Sequence, residues 1–413
     1  MLTSYKRTKL ACYTTNVAMS VVSNLSPLLF ITFRTLYGIS YSLLGLLVLI
    51  NFVTQLSIDL VFSFFSHKFN ISRTVRAIPW LTVLGLAVYA LWPMLYPASA
   101  FAGLVVGTLI FSASVGLSEV LISPVIAAIP ADDPDREMSK LHSVYAWGVV
   151  VIIVLGTLFL LFAGAERWPY MVLGFALIPL CAALLFASSE IPTMQTPEHT
   201  AGAISLFRSP GLWLCACGIF LGGAAECVMA QWSSSYLERA LMIPKVWGDI
   251  FGVALFSLML GLGRTLYAKM GREVTRVLIW GSAGAALCYL AAALSGVAVI
   301  GLLACALTGL CVSMLWPGSL IVASERYPSG GVFLFAVMAA GGDLGASVGP
   351  QAVGLVTDAV LASASAGELA ARLSLTPEQL GMKLGMLMGM IFPLVAVVIF
   401  HLIRKGAVNK RPE

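Results

Sequence analysis

The stretch GLSEVLISP (116–124) lies inside an apolar run long enough to cross a bilayer, and it carries one carboxylate, Glu119. In the second half of the chain GLCVSMLWP (309–317) repeats its Gly, Leu and Pro at the same spacing, with Val312 in place of Glu119 and Trp316 in place of Ser123. A second pair keeps step with the first. HKFNISR (67–73) follows the second apolar run and AKMGREV (268–274) follows the eighth, which puts Lys68 and Lys269 at equivalent places. Two matches at consistent positions point to a duplication rather than to chance likeness between apolar helices. Repeated halves of this kind mark secondary transporters, whose substrate site is expected between the halves near the bilayer midplane.

Composition sets the same frame. Of 413 residues, 59% are hydrophobic and 10% charged, and the mean hydropathy is +0.95; a soluble domain is nearer one quarter charged. A helix needs about 20 apolar residues to cross the hydrocarbon. Runs of that kind fall near 9–33, 41–66, 76–96, 98–130, 140–163, 168–187, 210–238, 247–269, 274–295, 297–326, 330–361 and 381–405. The reading is an all-α membrane protein with twelve transmembrane helices in two pseudo-symmetric bundles of six. The polar, Pro-containing break SSEIPTMQTPEHTAGAISLFR (188–208) separates an N-terminal bundle, 1–187, from a C-terminal one, 209–413. A second break near 363–381 suits a short amphipathic surface helix. With the N-terminus inside, 17 of the 24 Lys and Arg residues fall on the cytoplasmic side and six outside, with Arg264 inside a span. That bias places both termini in the cytoplasm, and the inner (plasma) membrane is the expected location of such a transporter.

The net charge of +5 comes from basic residues at the ends of apolar runs and does not indicate nucleic acid. The eight cysteines sit in or beside apolar runs and read as small apolar side chains. No GxxxxGK[ST] phosphate loop or HExxH pair occurs, and four His are too few for a multinuclear centre. The chain is therefore read as no enzyme, with no cofactor and no metal.

Six plus six helices with a basic turn after the second and eighth resemble the major facilitator superfamily. LYGISYSLLGLLVLINFVTQLSIDL (36–60), GLSEVLISPVIAAIP (116–130), LHSVYAWG (141–148) and AAECVMAQWSSSYLE (224–238) are similar to its fucose-permease-like, sugar:proton symporter branch. The chain departs from the family in two places. The loop after the second helix has His67-Lys68-Phe69-Asn70 where the family carries an acid and a glycine, and its second copy has Ala268 in the acidic place. The first helix offers Asn16, Ser23 and Asn24 where fucose permease has an aspartate.

A charge at the bilayer centre costs roughly 2.5–3.5 kcal/mol on insertion scales, so such residues face a cavity or a partner. Glu119, with Ser123 one turn away, matches the glutamate that the resemblance implies in proton coupling; a structural ion pair is the other reading. Glu226, Gln231 and Trp232 in the seventh helix combine hydroxyl-binding and apolar faces suited to a sugar-like ligand, although Trp232 and Tyr236 also suit an interfacial anchor. Arg264 needs a carboxylate, and Glu226 and Asp343 are the candidates. Asp343 lies opposite a stripe of Gly341, Gly345 and Gly349, as a gating helix would have it. Proton coupling thus falls to Glu119, Glu226 and Asp343. Solute binding falls to Asn24, Glu119, Ser123, Tyr145, Trp147, Glu226, Gln231, Trp232, Arg264 and Trp316.

Asn51, Gln55 and Asp59, at i, i+4 and i+8, form a polar stripe predicted to lie at the interface between halves. Gating or interdomain contact is expected of this stripe, of Lys68, His142, Lys269 and Arg272, and of Asp343. The function expected is proton-coupled import of a small polar, sugar-like solute by a monomer in the bilayer. The alternatives are a proton-linked exporter of amphipathic compounds and a transporter-derived sensor that binds solute without moving it.

Overall fold

The computed structural model describes residues 5–65, 68–130, 134–192, 208–270, 273–327 and 331–408, and among them there is no strand. Twelve helical segments are long and apolar enough to cross a membrane. In the first half these are Lys6–Tyr37, Tyr41–Phe62, Ile71–Leu95, Pro97–Ala128, Ser143–Ala163 and Ala165–Ala187. In the second half they are Pro210–Ala240, Lys245–Tyr267, Val274–Leu294, Ala298–Arg326, Leu334–Ala362 and Pro377–Lys405. They are called spans 1 to 12 below. Each expected run is found within a few residues of its place, and the surface helix expected after span 11 is Ala364–Arg372.

Residues Met1–Ile39 and Ile50–Glu198 form one compact unit, and Ser40–Leu49 and His199–Glu413 form a second. The first turns of span 2 thus pack with the C-terminal half. Their free N–H groups explain part of this: Asp358 of span 11 accepts from the backbone of Tyr41 at 3.1 Å and Ser42 at 2.6 Å, a carboxylate cap on a helix N-terminus. Tyr41 also donates its hydroxyl to Glu378 at 2.5 Å. The C-terminus of span 9 has the opposite cap, Lys383 of span 12, whose ammonium donates to the carbonyls of Ala293 and Ser295.

The core of the first unit gathers aromatic rings from spans 1, 3 and 6. Phe33 meets Trp168 edge-on at 5.0 Å, and Tyr89 lies 6.0 Å from Trp168. Each polar tip is satisfied, Tyr89 by Ser26 at 3.0 Å and the Trp168 indole by Tyr37 at 3.2 Å. At one end of the unit Glu137 gathers Lys140 at 2.6 Å, Lys9 at 3.1 Å and the Tyr13 hydroxyl at 3.0 Å. In the second unit span 7 is central. Trp232 donates to the Pro350 carbonyl at 2.9 Å, and Tyr289 to that of Ala225 at 2.7 Å.

Glycines let backbones meet. A Cβ added at Gly116 would stand 3.0 Å from the Gln55 carbonyl oxygen, and one added at Gly309 would overlap that of Phe256. Gln55 and Phe256 are 201 residues apart, the same offset as Lys68 and Lys269. The repeat therefore reappears as one contact made twice, between spans 2 and 4 and between spans 8 and 10. The predicted stripe of Gly341, Gly345 and Gly349 lies against the backbone of span 7 at Ala216, Phe220 and Ala224.

Prolines break helices where their rings displace the carbonyl four residues back. Span 6 breaks at Ala176, next to the carbonyl opposed by Pro179; span 10 breaks at Ser313–Met314, four residues before Pro317; span 12 breaks at Met390, beside the carbonyl opposed by Pro393. Span 8 begins differently, with a π-turn over Gly248–Ala254 that encloses Asp249 and pairs it with Lys245 at 3.1 Å.

Two outcomes follow from these contacts. Gly345→Ala should cost roughly 1–3 kcal/mol by overpacking and lower the melting temperature of the detergent-purified protein by several degrees. Gly261→Ala, whose Cβ would meet nothing within 4 Å, should leave it unchanged. Glu137 lies outside the spans, and its hydrogen bonds from Lys140, then Lys9 and Tyr13, hold its carboxyl down to about 2. Because that folded value is below the unfolded one, its stabilisation is complete above the ordinary carboxylate range and is lost as pH falls toward 2. The melting difference between the parent and Glu137→Gln should be largest above about pH 5 and close on acidification.

Candidate functional site

Pro317 has no N–H, so the Ser313 carbonyl four residues earlier is left without its helical donor. Arg264 of span 8 takes that place, donating from Nε at 3.1 Å. Its Nη2 then stands 3.8 Å from Oε1 of Glu226 in span 7. The other Glu226 oxygen, Oε2, is enclosed and has no hydrogen-bond partner among the described residues. Trp316, one turn from Ser313, supplies an aromatic wall. A Cβ at Gly223 would come within 3.1 Å of its ring, and one at Gly342 would collide with it. Glu226 is one turn from Gly223, and half-buried Asp343 adjoins Gly342, which faces the same ring. Four predicted residues, Glu226, Arg264, Trp316 and Asp343, are thus brought together in the second unit. The Ser313 carbonyl and the two glycines were not predicted; the position of Pro317 was the available signal for Ser313.

The first unit has its own polar seam. Ser112 donates to Asn51 Oδ1 at 2.6 Å, and the Gly116 Cβ position lies 3.2 Å from Asp59 Oδ1. Glu119 and Ser123 continue the face of Ser112 and Gly116 by helical spacing, with Glu119 exposed and Ser123 half-buried. Gln55 is only 4% exposed and its Nε2 has no partner among the described residues. The sequence predicts an interface between halves for Asn51, Gln55 and Asp59. Within its own unit this stripe lies against span 4, where Gly116 presents no side chain to keep the helices apart.

Other expectations are corrected by burial. Trp232 is fully enclosed, with its N–H spent on Pro350, and Tyr236 is also enclosed and bonded to the Ala292 carbonyl. Both are core residues, neither ligand wall nor interfacial anchor. Trp147 heads an exposed apolar stripe with Val151, Leu155, Leu158 and Phe162, the pattern of a lipid-facing side. Asn24 donates to the Ser20 carbonyl of its own helix at 2.9 Å. Tyr145 is half-buried and Gln231 is 9% exposed. Lys68 is exposed and lies over the Phe65 ring at 5.0 Å, and Lys269 is exposed as well. The His142 side chain and Arg272 lie outside the described residues. GASVG (345–349) matches the spacing of a hydrolase nucleophile elbow, but Ser347 is fully buried in a continuous helix and bonded to the Leu344 carbonyl.

The seam between spans 2 and 4 has a direct check. In a background without native cysteines, Asn51→Cys with Ser112→Cys should cross-link under mild oxidation, equally with and without a proton gradient. Failure to cross-link would refute the contact.

No curated protein sequence matches the chain. Solved structures do match in fold. A peptide transporter of the POT family aligns with TM-score 0.73 and 13% identity over 98% of this chain and 97% of its own. A D-xylose-proton symporter aligns with TM-score 0.70 and 14% identity over 94% and 97%. The Escherichia coli fucose:proton symporter aligns with TM-score 0.61 and 15% identity over 97% and 99%. At such identities the likeness shows the fold alone. The family model described as Major Facilitator Superfamily covers residues 11–350, so this chain is a multi-pass membrane transporter and belongs to the Major Facilitator Superfamily.

Proposed function

We propose that the chain imports a small polar, sugar-like solute together with protons by alternating access, in the inner (plasma) membrane and with both termini cytoplasmic. The halves 1–187 and 209–413, joined by 188–208, would carry out the exchange. The observation that carries this reading is Glu119, an exposed carboxylate on a membrane-spanning helix, continuing a face that also holds Ser112 and Ser123. A charge at that depth is costly in hydrocarbon and is retained where water or polar groups reach it. Its repeat counterpart is Val312, so the helix does not need an acid there to fold. The second unit adds an aromatic wall, Trp316, beside hydrogen-bonding groups, a combination that fits the C–H faces and hydroxyls of a sugar.

The test uses proteoliposomes and a radiolabelled sugar panel. An imposed inward proton gradient should drive accumulation by the parent protein. Glu119→Gln, which mimics the protonated acid, should lose gradient-driven accumulation and keep counterflow exchange. Unchanged accumulation removes Glu119 from coupling, and the absence of any accumulation or exchange by the parent overturns import.

A further inference from the structure

Arg264 is the unusual group of the second unit. It is a permanent cation on a spanning helix, yet its side chain is 47% exposed. Among the described residues only Nε is hydrogen-bonded, to the Ser313 carbonyl. At 3.8 Å Glu226 offsets the charge without accepting a hydrogen bond, and the guanidinium has no other partner among the described residues. The terminal N–H pair is therefore held in place by Nε and left unoccupied. That planar fork fits a carboxylate, which it binds through two parallel hydrogen bonds, better than it fits a lone hydroxyl.

We infer that the transported solute carries a carboxylate on its polyhydroxy frame, a sugar acid in chemical class, and that Arg264 receives it. The inference rests on the proposed transport reading and narrows its solute. Trp316 would face the C–H side of the frame, beside the Arg264 fork.

Charge balance then ties anion to proton. One guanidinium cannot compensate both the solute carboxylate and Glu226. The neighbouring groups bring no second cation: span 11 brings Asp343 beside Gly342, another acid, span 10 the uncharged Ser313 carbonyl and Trp316, span 9 the Tyr289 hydroxyl, which donates to the Ala225 carbonyl, and span 7 the Cys227 thiol next in sequence. When the solute takes over the Arg264 fork, Glu226 loses its counter-charge and takes up one proton from solution, so anion and proton are bound together. Loss of the solute restores the Arg264–Glu226 pair and returns the proton.

The test is binding to the full-length protein in detergent at neutral pH, followed by melting and by titration. The probes are gluconate and glucuronate, with glucose, glucitol and glucuronate methyl ester as uncharged counterparts and acetate as a carboxylate without the frame. The acids should bind and raise the melting temperature, and the ester and neutral compounds should bind at least about 10-fold more weakly. Arg264→Gln should abolish acid binding. Arg264→Lys keeps the charge and loses the fork, and should weaken acid binding about 10-fold, while glucose and glucitol bind to it as they do to the parent, which separates carboxylate recognition from folding. Glu226→Gln should tighten acid binding and remove proton uptake on binding, the reverse of what loss of a purely structural pair would do.

Neutral sugars binding as well as the acids would overturn the inference and leave sugar transport standing. Acid binding within twofold of the parent in Arg264→Lys and Arg264→Gln would also overturn it. If no probe binds and none accumulates in proteoliposomes, the transport reading itself fails and the inference fails with it.

Discussion

Backbone-to-backbone contact at glycine is the constraint on which the rest of this molecule depends. Helices in a bilayer gain little from burying apolar side chains against one another, since lipid is equally apolar, so close packing carries the association. Gly116 against Gln55 and Gly309 against Phe256 are the same contact in the two halves. Span 7 meets Gly341, Gly345 and Gly349 in the same manner. Once these approaches are set, the side chains flanking them have little freedom of place. Glu119 lies one turn beyond Gly116, and Asp343 stands between Gly341 and Gly345.

Proline does the complementary work. Where glycine closes the helices, Pro317 opens one of them and frees a carbonyl for a guanidinium. The same proline recurs as Pro124 in span 4, inside a helix that stays continuous. The duplicated frame thus holds an acid beside one proline and an aromatic ring beside the other. The chemical difference between the halves is written on a backbone pattern they share.

Much of this was legible in the residues themselves. Apolar run length located all twelve spans, because hydrocarbon thickness leaves a helix few other lengths. The glycine stripe of span 11 and the need of Arg264 for a carboxylate were also readable, the first from spacing and the second from the cost of an unpaired charge. What the residues alone did not carry was the assignment of neighbours. Periodicity says which side chains share a face, as Asn51, Gln55 and Asp59 do, but not which helix receives that face. The same gap misplaced the tryptophans. Trp147 and Trp232 are equally amphipathic in sequence, yet one heads an exposed apolar stripe and the other is enclosed with its N–H on a carbonyl. Only the packing partner separates these fates.

The π-turn at the start of span 8 has a consequence for phase. A π-turn accommodates one extra residue, and each residue in a helix is worth about 100° of rotation. Every side chain downstream of Gly248–Ala254 is rotated by that amount relative to an unbroken helix. Arg264 is downstream. Its meeting with Glu226 and Ser313 is therefore set as much by an irregularity three turns earlier as by the residues it touches. Relaxing that turn to regular helix would turn the guanidinium through more than a quarter of a circle, out of the cluster, with no residue of the cluster changed.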